Sequence, residues 1–237
     1  MPSTTVEQYP HLLSLAVHEF RTPASVIGGY LRMVLRGDEP LSERQRKMLD
    51  EAEKSCARLV AMIAEMSEIG KLDDGRTTLV TQPLDVGRLI AEVAEHVHEA
   101  KDRDVRLVVN DDGSAAPISG DAARLRSAFD AIFRAILREK AGPATVVTSR
   151  RREQIGGRPH CLVVVAEKSS VQEAYDTPRE PFDDHRGGLG LALPLARRVF
   201  ERHGGAVWSP VAPPGLDENA AATARRRWAI VTLPLTE

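Results

Sequence analysis

The chain has 237 residues, 42% of them hydrophobic, and a formal net charge of −2. That is enough apolar material for two small domains or one large one; it excludes wholesale disorder, and the charge gives no basic excess pointing to a nucleic-acid partner. Cys56 and Cys161 are far apart and lack metal-ligand spacing, so they read as reduced core thiols of a cytosolic protein. No apolar run approaches the ~20 residues that cross a bilayer. The stretch Met1 to Pro10 has no basic segment followed by a signal-like apolar run. The expectation is a soluble, cytoplasmic protein with no membrane sensor of its own.

Residues 11–37 read as one long helix. Leu13, Val17, Phe20, Ala24, Ile27, Leu31 and Val34 recur at alternating spacings of four and three, the seam of a coiled coil or antiparallel bundle. Gly37, Asp38 and Pro40 end it. Ser42, with Gln45 three residues on, forms a capping box for a second helix, whose seam is Leu49, Ala52, Cys56, Leu59, Ile63 and Met66. Two such helices make a hairpin over residues 9–70. A lone hairpin buries only part of its apolar surface, and a second copy would complete a dimeric four-helix bundle.

A polar linker, Lys71-Leu72-Asp73-Asp74-Gly75, falls within residues 71–77, and residues 78–237 change to mixed helix and strand. Helices are expected at Leu84 to Ala100, Asp121 to Lys140 and Leu189 to His203, the last closed by Gly204-Gly205. Strands are expected at Val105 to Val109, Val146 to Ser149, Cys161 to Ala166 and Trp228 to Leu235. This mixture predicts an α/β sandwich with helices layered on one sheet.

The first helix carries His18-Glu19-Phe20-Arg21-Thr22-Pro23. His18 lies one position past the seam residue Val17, beside the core rather than inside it. A neutral imidazole can attack phosphorus, Glu19 can hold or remove the proton on the other ring nitrogen, and Thr22, one turn on, can orient a water. Pro23 leaves the Glu19 carbonyl without its helical donor, at a cost of about 3 kcal/mol that an ordinary surface helix has no reason to bear. A lone exposed histidine is usually only a surface residue. These six residues together, however, resemble the H-box of sensor histidine kinases, and they lie on the helix where that family carries it.

A second run, Arg186-Gly187-Gly188-Leu189-Gly190-Leu191-Ala192-Leu193, opens the last long helix. Glycines let a backbone approach phosphate, and a helix N-terminus offers free N–H groups. With Ala196-Arg197-Arg198-Val199-Phe200-Glu201-Arg202-His203-Gly204-Gly205 behind it, the run resembles the last glycine box of the same family. The resemblance covers nearly all of residues 11–237. It implies a hairpin that bears the phosphoacceptor histidine and a Bergerat-type ATP-binding domain. The implied activity is autophosphorylation of His18 from ATP, with transfer to an aspartate of a response-regulator receiver domain. It implies catalytic roles for His18, Glu19 and Thr22, and nucleotide contacts from Arg138, Glu167, Gly187, Gly188, Leu189, Gly190 and Leu191. The implied partners are a second copy of the chain, the regulator and, where the input lies outside this chain, a separate sensor protein.

Three departures stand out. Ala131 and Ala135 occupy the positions where the family has asparagines, the last of which holds Mg²⁺. Alanine offers no oxygen to that hard cation, so ATP binding is expected to be weak, Mg²⁺ is doubtful, and no metal ligand is assigned. After the strand ending at Ala166 the chain reads Glu167-Lys168-Ser169-Ser170, which keeps a carboxylate but loses the family's glycines. Glu180-Pro181-Phe182 resembles the phenylalanine box, yet only four residues separate it from Gly187. Pro194, early in the third helix, is expected to bend it after its first turn. The alternative reading is a kinase-impaired dimer that acts as a regulator phosphatase, relay or docking module. A purely structural coiled-coil adaptor would leave His18, Pro23 and the glycine run unexplained, and a different ATPase on a similar sandwich would lack the histidine hairpin.

Overall fold

A computed structural model describes residues 4–37, 40–75, 77–184 and 188–236. The chain divides into two compact units, Met1–Thr77 and Thr78–Glu237. The first is a pair of long helices, α1 (Thr4–Arg36) and α2 (Glu43–Asp73). Helix α1 begins earlier than the expected residue 11, and α2 runs three residues into the stretch read as linker. At the start of α2 the Ser42 hydroxyl accepts from the Gln45 N–H while the Gln45 side chain accepts from the Ser42 N–H at 3.0 Å. The reciprocal bonds satisfy two donors that a helix start otherwise leaves free.

Each heptad seam divides in two. Val17, Ala24, Cys56 and Ile63 are buried, with Met66 packed against Val17, Ala24 and Ile63. The Cys56 thiol donates to the Ala24 carbonyl at 3.3 Å. Small residues permit this approach: a Cβ on Gly28 would stand 3.2 Å from the Cys56 sulfur. The alternate seam members face outward, with Phe20 53%, Ile27 52%, Val34 48% and Leu59 46% exposed.

The second unit is built on a six-stranded sheet in the order β2-β4-β5-β8-β7-β6. Its strands are β2 (Val105–Asn110), β4 (Ala144–Ile155), β5 (Arg158–Glu167), β6 (Arg179–Pro181), β7 (Ala206–Pro210) and β8 (Ala229–Pro234). β2 and β4 pair in parallel and the other neighbours antiparallel. A separate two-stranded ribbon joins β1 (Gln82–Asp85) to β3 (Pro117–Gly120). The helices are α3 (Val86–His96), α4 (Ala122–Arg138), α5 (Val171–Asp176), α6 (Ala192–Arg202) and α7 (Glu218–Arg225). Cys161 to Ala166 of β5 is wholly buried, as a central strand covered on both faces must be. Leu162, Val164 and Ala166 cluster with Ala174 of α5, Trp228 and Ile230. Phe129 of α4 packs against Phe200 of α6 at 5.1 Å, edge to face.

Several boundaries differ from the sequence expectation, each for a local reason. Helix α3 starts after Leu84 because the Asp85 carboxylate accepts from the Arg88 N–H (3.0 Å), an N-cap, and also from the Ala116 N–H (2.8 Å). Helix α6 starts at Ala192 rather than Leu189, since Gly188 and Gly190 hold φ of 58° and 64°, outside the right-handed helix. Pro194 therefore lies in the first turn of α6, where a missing N–H leaves no bond unmade, and the expected bend has no cause. Strands β4 and β5 extend to a Gly156-Gly157 turn with both residues at positive φ, the geometry of a two-residue hairpin. The sequence reading missed β1, β3, β6, β7, α5 and α7.

Candidate functional site

The two sets of candidate residues lie in different units. His18 and Glu19 sit on α1 with side chains 79% and 70% exposed, and the His18 Nδ1 lies 3.6 Å from the Glu19 carboxylate. The preceding residue, Val17, is 4% exposed and belongs to the hairpin core. One step of about 100° along the helix thus carries the chain from a locked core position to an open imidazole. Thr22 and Pro23 are exposed on the following turn. Among the other histidines, His96 and His160 engage backbone carbonyls through Nδ1. His203 is held on both ring nitrogens: Nδ1 bonds the Val199 carbonyl and Nε2 accepts from the Asp121 N–H.

In the second unit the C-terminal end of α4 joins part of the expected nucleotide set. The Arg138 guanidinium donates to the Gly188 carbonyl at 3.2 Å and pairs with Glu99 at 2.9 Å. Glu99 also receives Arg134 at 3.1 Å. Partial burial alone would raise the Glu99 pKa, but hydrogen bonds from both arginines hold it below the ordinary glutamate value. Two residues past Arg138, the Lys140 ammonium lies 3.3 Å from the half-exposed Glu167 carboxylate. Arg103 caps the same helix end, donating to the carbonyls of Arg138 and Lys140. Gly188 and Gly190 are exposed, Leu189 and Leu191 half-buried. Gly187 lies outside the described residues.

Glu167 stands on the wall of a cleft of about 380 Å³, lined also by Lys140, Pro143, Thr223, Arg226 and Arg227. The last three belong to α7 and its C-terminal end, which the sequence reading missed. Their signals were present: Asp217 before an alanine-rich run is an N-cap ahead of strong helix formers, and its carboxylate accepts from the Ala220 N–H. Ala131 and Ala135, at 4% and 0% exposure, are packed into the core rather than facing an opening. Both cysteines are free and buried, and burial pushes the Cys161 thiol up to about 11. Among the described residues no group of three His, Cys, Asp or Glu side chains is placed to hold a metal ion, and no helix is long and apolar enough to cross a membrane.

Residues 11–75 match the family model of the His Kinase A (phospho-acceptor) domain. The sensor protein DivL of Caulobacter vibrioides is 28% identical over 79% of this chain and 24% of its own length. The phosphate regulon sensor protein PhoR of Pseudomonas aeruginosa is 25% identical over 78% of this chain and 43% of its own. The hairpin thus matches the phospho-acceptor domain family, and the chain as a whole is similar to sensor histidine kinases. Its fold is that of solved histidine kinases. Full-length ShkA, determined in complex with AMPPNP, covers 95% of this chain with a TM-score of 0.65 at 21% identity, and 45% of ShkA is matched. ThkA, determined in complex with the response regulator TrrA, gives 0.53 at 18% identity, over 95% of this chain and 61% of its own. The chain therefore spans about a quarter to under half of the two curated relatives named.

Proposed function

We propose that this histidine kinase core takes a phosphoryl group onto His18 and passes it to an aspartate of a response-regulator receiver domain. The observation that carries the reading is the openness of His18 within the phosphoacceptor segment, with Glu19 beside its Nδ1. Glu19 holds the Nδ1 proton, so the Nε2 lone pair is the nucleophile. It forms the N–P bond as the bond from the γ-phosphorus of ATP to its bridging oxygen breaks and ADP leaves. Regulator aspartate oxygen then displaces the imidazole at the same phosphorus. Thr22 orients the water that removes phosphate from the regulator. ATP is the substrate, with Glu167 at the base end and Gly188, Leu189, Gly190, Leu191 and Arg138 toward the phosphates. Gly187 belongs to the same set by sequence. The exposed seam half, Phe20, Ile27, Val34 and Leu59, is the face that a second copy covers in a homodimer.

Mg²⁺ does not fit this reading at the usual place. Ala131 and Ala135 have no side-chain oxygen and are enclosed, so no step is routed through a metal there. Arg138 already spends its charge on Glu99, and Glu167 on Lys140. These observations favour a second reading, in which ATP binds weakly and the dimer works as a regulator phosphatase, relay or docking module.

Radiolabelled ATP separates the two. Acid-labile label on the native chain, absent from His18→Gln, supports the kinase. The second reading expects no label from ATP, yet loss of phosphate from a phosphorylated regulator that Thr22→Ala slows. Label that persists in His18→Gln, from any donor, refutes His18 as the acceptor.

A further inference from the structure

The connection between β7 and β8 carries a short helix, α7, with no fully buried residue. Core burial therefore does not hold it. Three consecutive arginines at its end do. Arg225 is the last helical residue, Arg226 the cap, and Arg227 precedes Trp228, which is 1% exposed and leads into β8. Side chains successive along a helix end point about 100° apart, so the run fans out to three places. Arg225 Nε lies 2.5 Å from the Glu180 carboxylate on β6. Arg226 Nε lies 3.1 Å from Asp183. Arg227 grips both oxygens of Glu173 on α5, at 3.0 and 2.9 Å, in the two-pronged geometry that favours arginine. Arg227 also donates to the Ser170 hydroxyl at 3.3 Å and lies over the Trp228 ring at 4.8 Å.

All three acids fall in one stretch of chain, Glu173 to Asp183, which comes shortly before the glycine run. Its far end is fixed separately, Asp184 to Arg197 of α6 at 3.0 Å. Arg226 and Arg227 also line the cleft in which Glu167 and Lys140 stand. The same side chains thus clamp the stretch and wall the cleft.

We propose that Arg225, Arg226 and Arg227 are positioning residues: they bind Glu173–Asp183 to the end of α7 and so fix the place of Arg226 and Arg227 in the wall of the cleft at Glu167. A single half-exposed ion pair contributes little. Three pairs on one stretch add to the β6–β7 pairing and the burial of Ala174 and Phe182, and they act together, because parting the stretch from α7 requires breaking all of them. They are also open to screening by salt. The effect on ligand binding rests on the nucleotide reading above; the clamp itself does not.

The test is hydrogen exchange on the full chain without nucleotide, with ATP affinity measured in parallel by calorimetry. Replacing all three arginines by glutamine should speed exchange in residues 171–184 at least about tenfold, leaving β5 and the hairpin unchanged. High salt should do the same to the native chain and little to the variant. Arg227→Glu should loosen the stretch, Glu173→Arg added to it should restore protection, and ATP affinity should fall and recover in step. Unchanged exchange in 171–184, or an equal rise throughout the second unit, would overturn the clamp, as would failure of the charge swap to restore protection. If the triple variant does not fold, the Arg227→Glu and charge-swap pair decides the question alone. Absence of ATP binding by the native chain counts against the nucleotide reading, and the exchange result still decides the clamp.

Discussion

The hairpin and the sandwich treat apolar residues in opposite ways. The sandwich closes its core: Phe129, Phe133, Phe200, Leu162 and Trp228 are all under 2% exposed. The hairpin leaves half of its heptad positions in the open, Phe20, Ile27 and Val34 among them. A sheet with helices on it can enclose a core within one chain, whereas two helices have only one mutual contact line and need further surface to cover the rest. The histidine that the reading places at the chemistry sits on the unit that leaves itself open, one residue from its small core.

Changes to the closed unit should cost the most. Phe129→Ala removes a ring packed on Phe133 and Phe200 and should lower the stability of the second unit by about 3–5 kcal/mol. Thermal unfolding followed by Trp208 and Trp228 fluorescence measures it. A loss below about 1 kcal/mol would mean that this core is less tightly packed than its burial implies.

In the open unit, Ile27→Asp should act on assembly instead. A carboxylate in the seam is tolerable while exposed and costly once buried. Sedimentation of the variant should show monomer where the native chain shows dimer, with helical content nearly kept. A variant dimer would place the seam elsewhere.

Ala135→Asn tests the boundary between core and site. At a position with no exposed surface, an added amide must be overpacked or left without partners, for a cost of about 1–3 kcal/mol. ATP titrations with and without Mg²⁺ should give weak binding, indifferent to the metal, for the native chain. Tight and strictly Mg²⁺-dependent binding by the native chain would contradict the weak-site reading.

The smallest effect is expected at Glu99, which joins Arg134 and Arg138. Its folded-state pKa is lowered, so its contribution is full above the unfolded glutamate value and lost as pH falls through the lower, folded one. The groups are partly exposed, so Glu99→Gln should cost under about 1 kcal/mol near neutrality and less in acid. Denaturant midpoints at the two pH values check the sign.

Legibility in the sequence followed the range of the forces. The Ser42–Gln45 capping box, both heptad seams and the buried run of β5 were readable because neighbours within one or two turns, or within one strand, decide them. The Gly156-Gly157 hairpin turn and the Asp217 cap were equally local signals, but went unread. The start of α6 was misplaced because glycine spacing marks a backbone able to turn left-handed without saying which residues do so. For the candidate site, the sequence marked His18 and its neighbours, since the H-box is a contiguous run. It could not say that Arg138 would be shared between Glu99 and Gly188, or Glu167 held by Lys140.

By itself, then, the sequence determined the helical periods, the capping box and the order of hairpin before sandwich, because each depends on contacts between residues close in the chain. Only the tertiary structure decided which half of each seam stays exposed, that Ala131 and Ala135 are enclosed, and that Arg225, Arg226 and Arg227 reach back more than forty residues to Glu180, Asp183 and Glu173. Such pairings form only when packing brings distant segments together, and side chains this long leave no periodic trace of the partner they will meet.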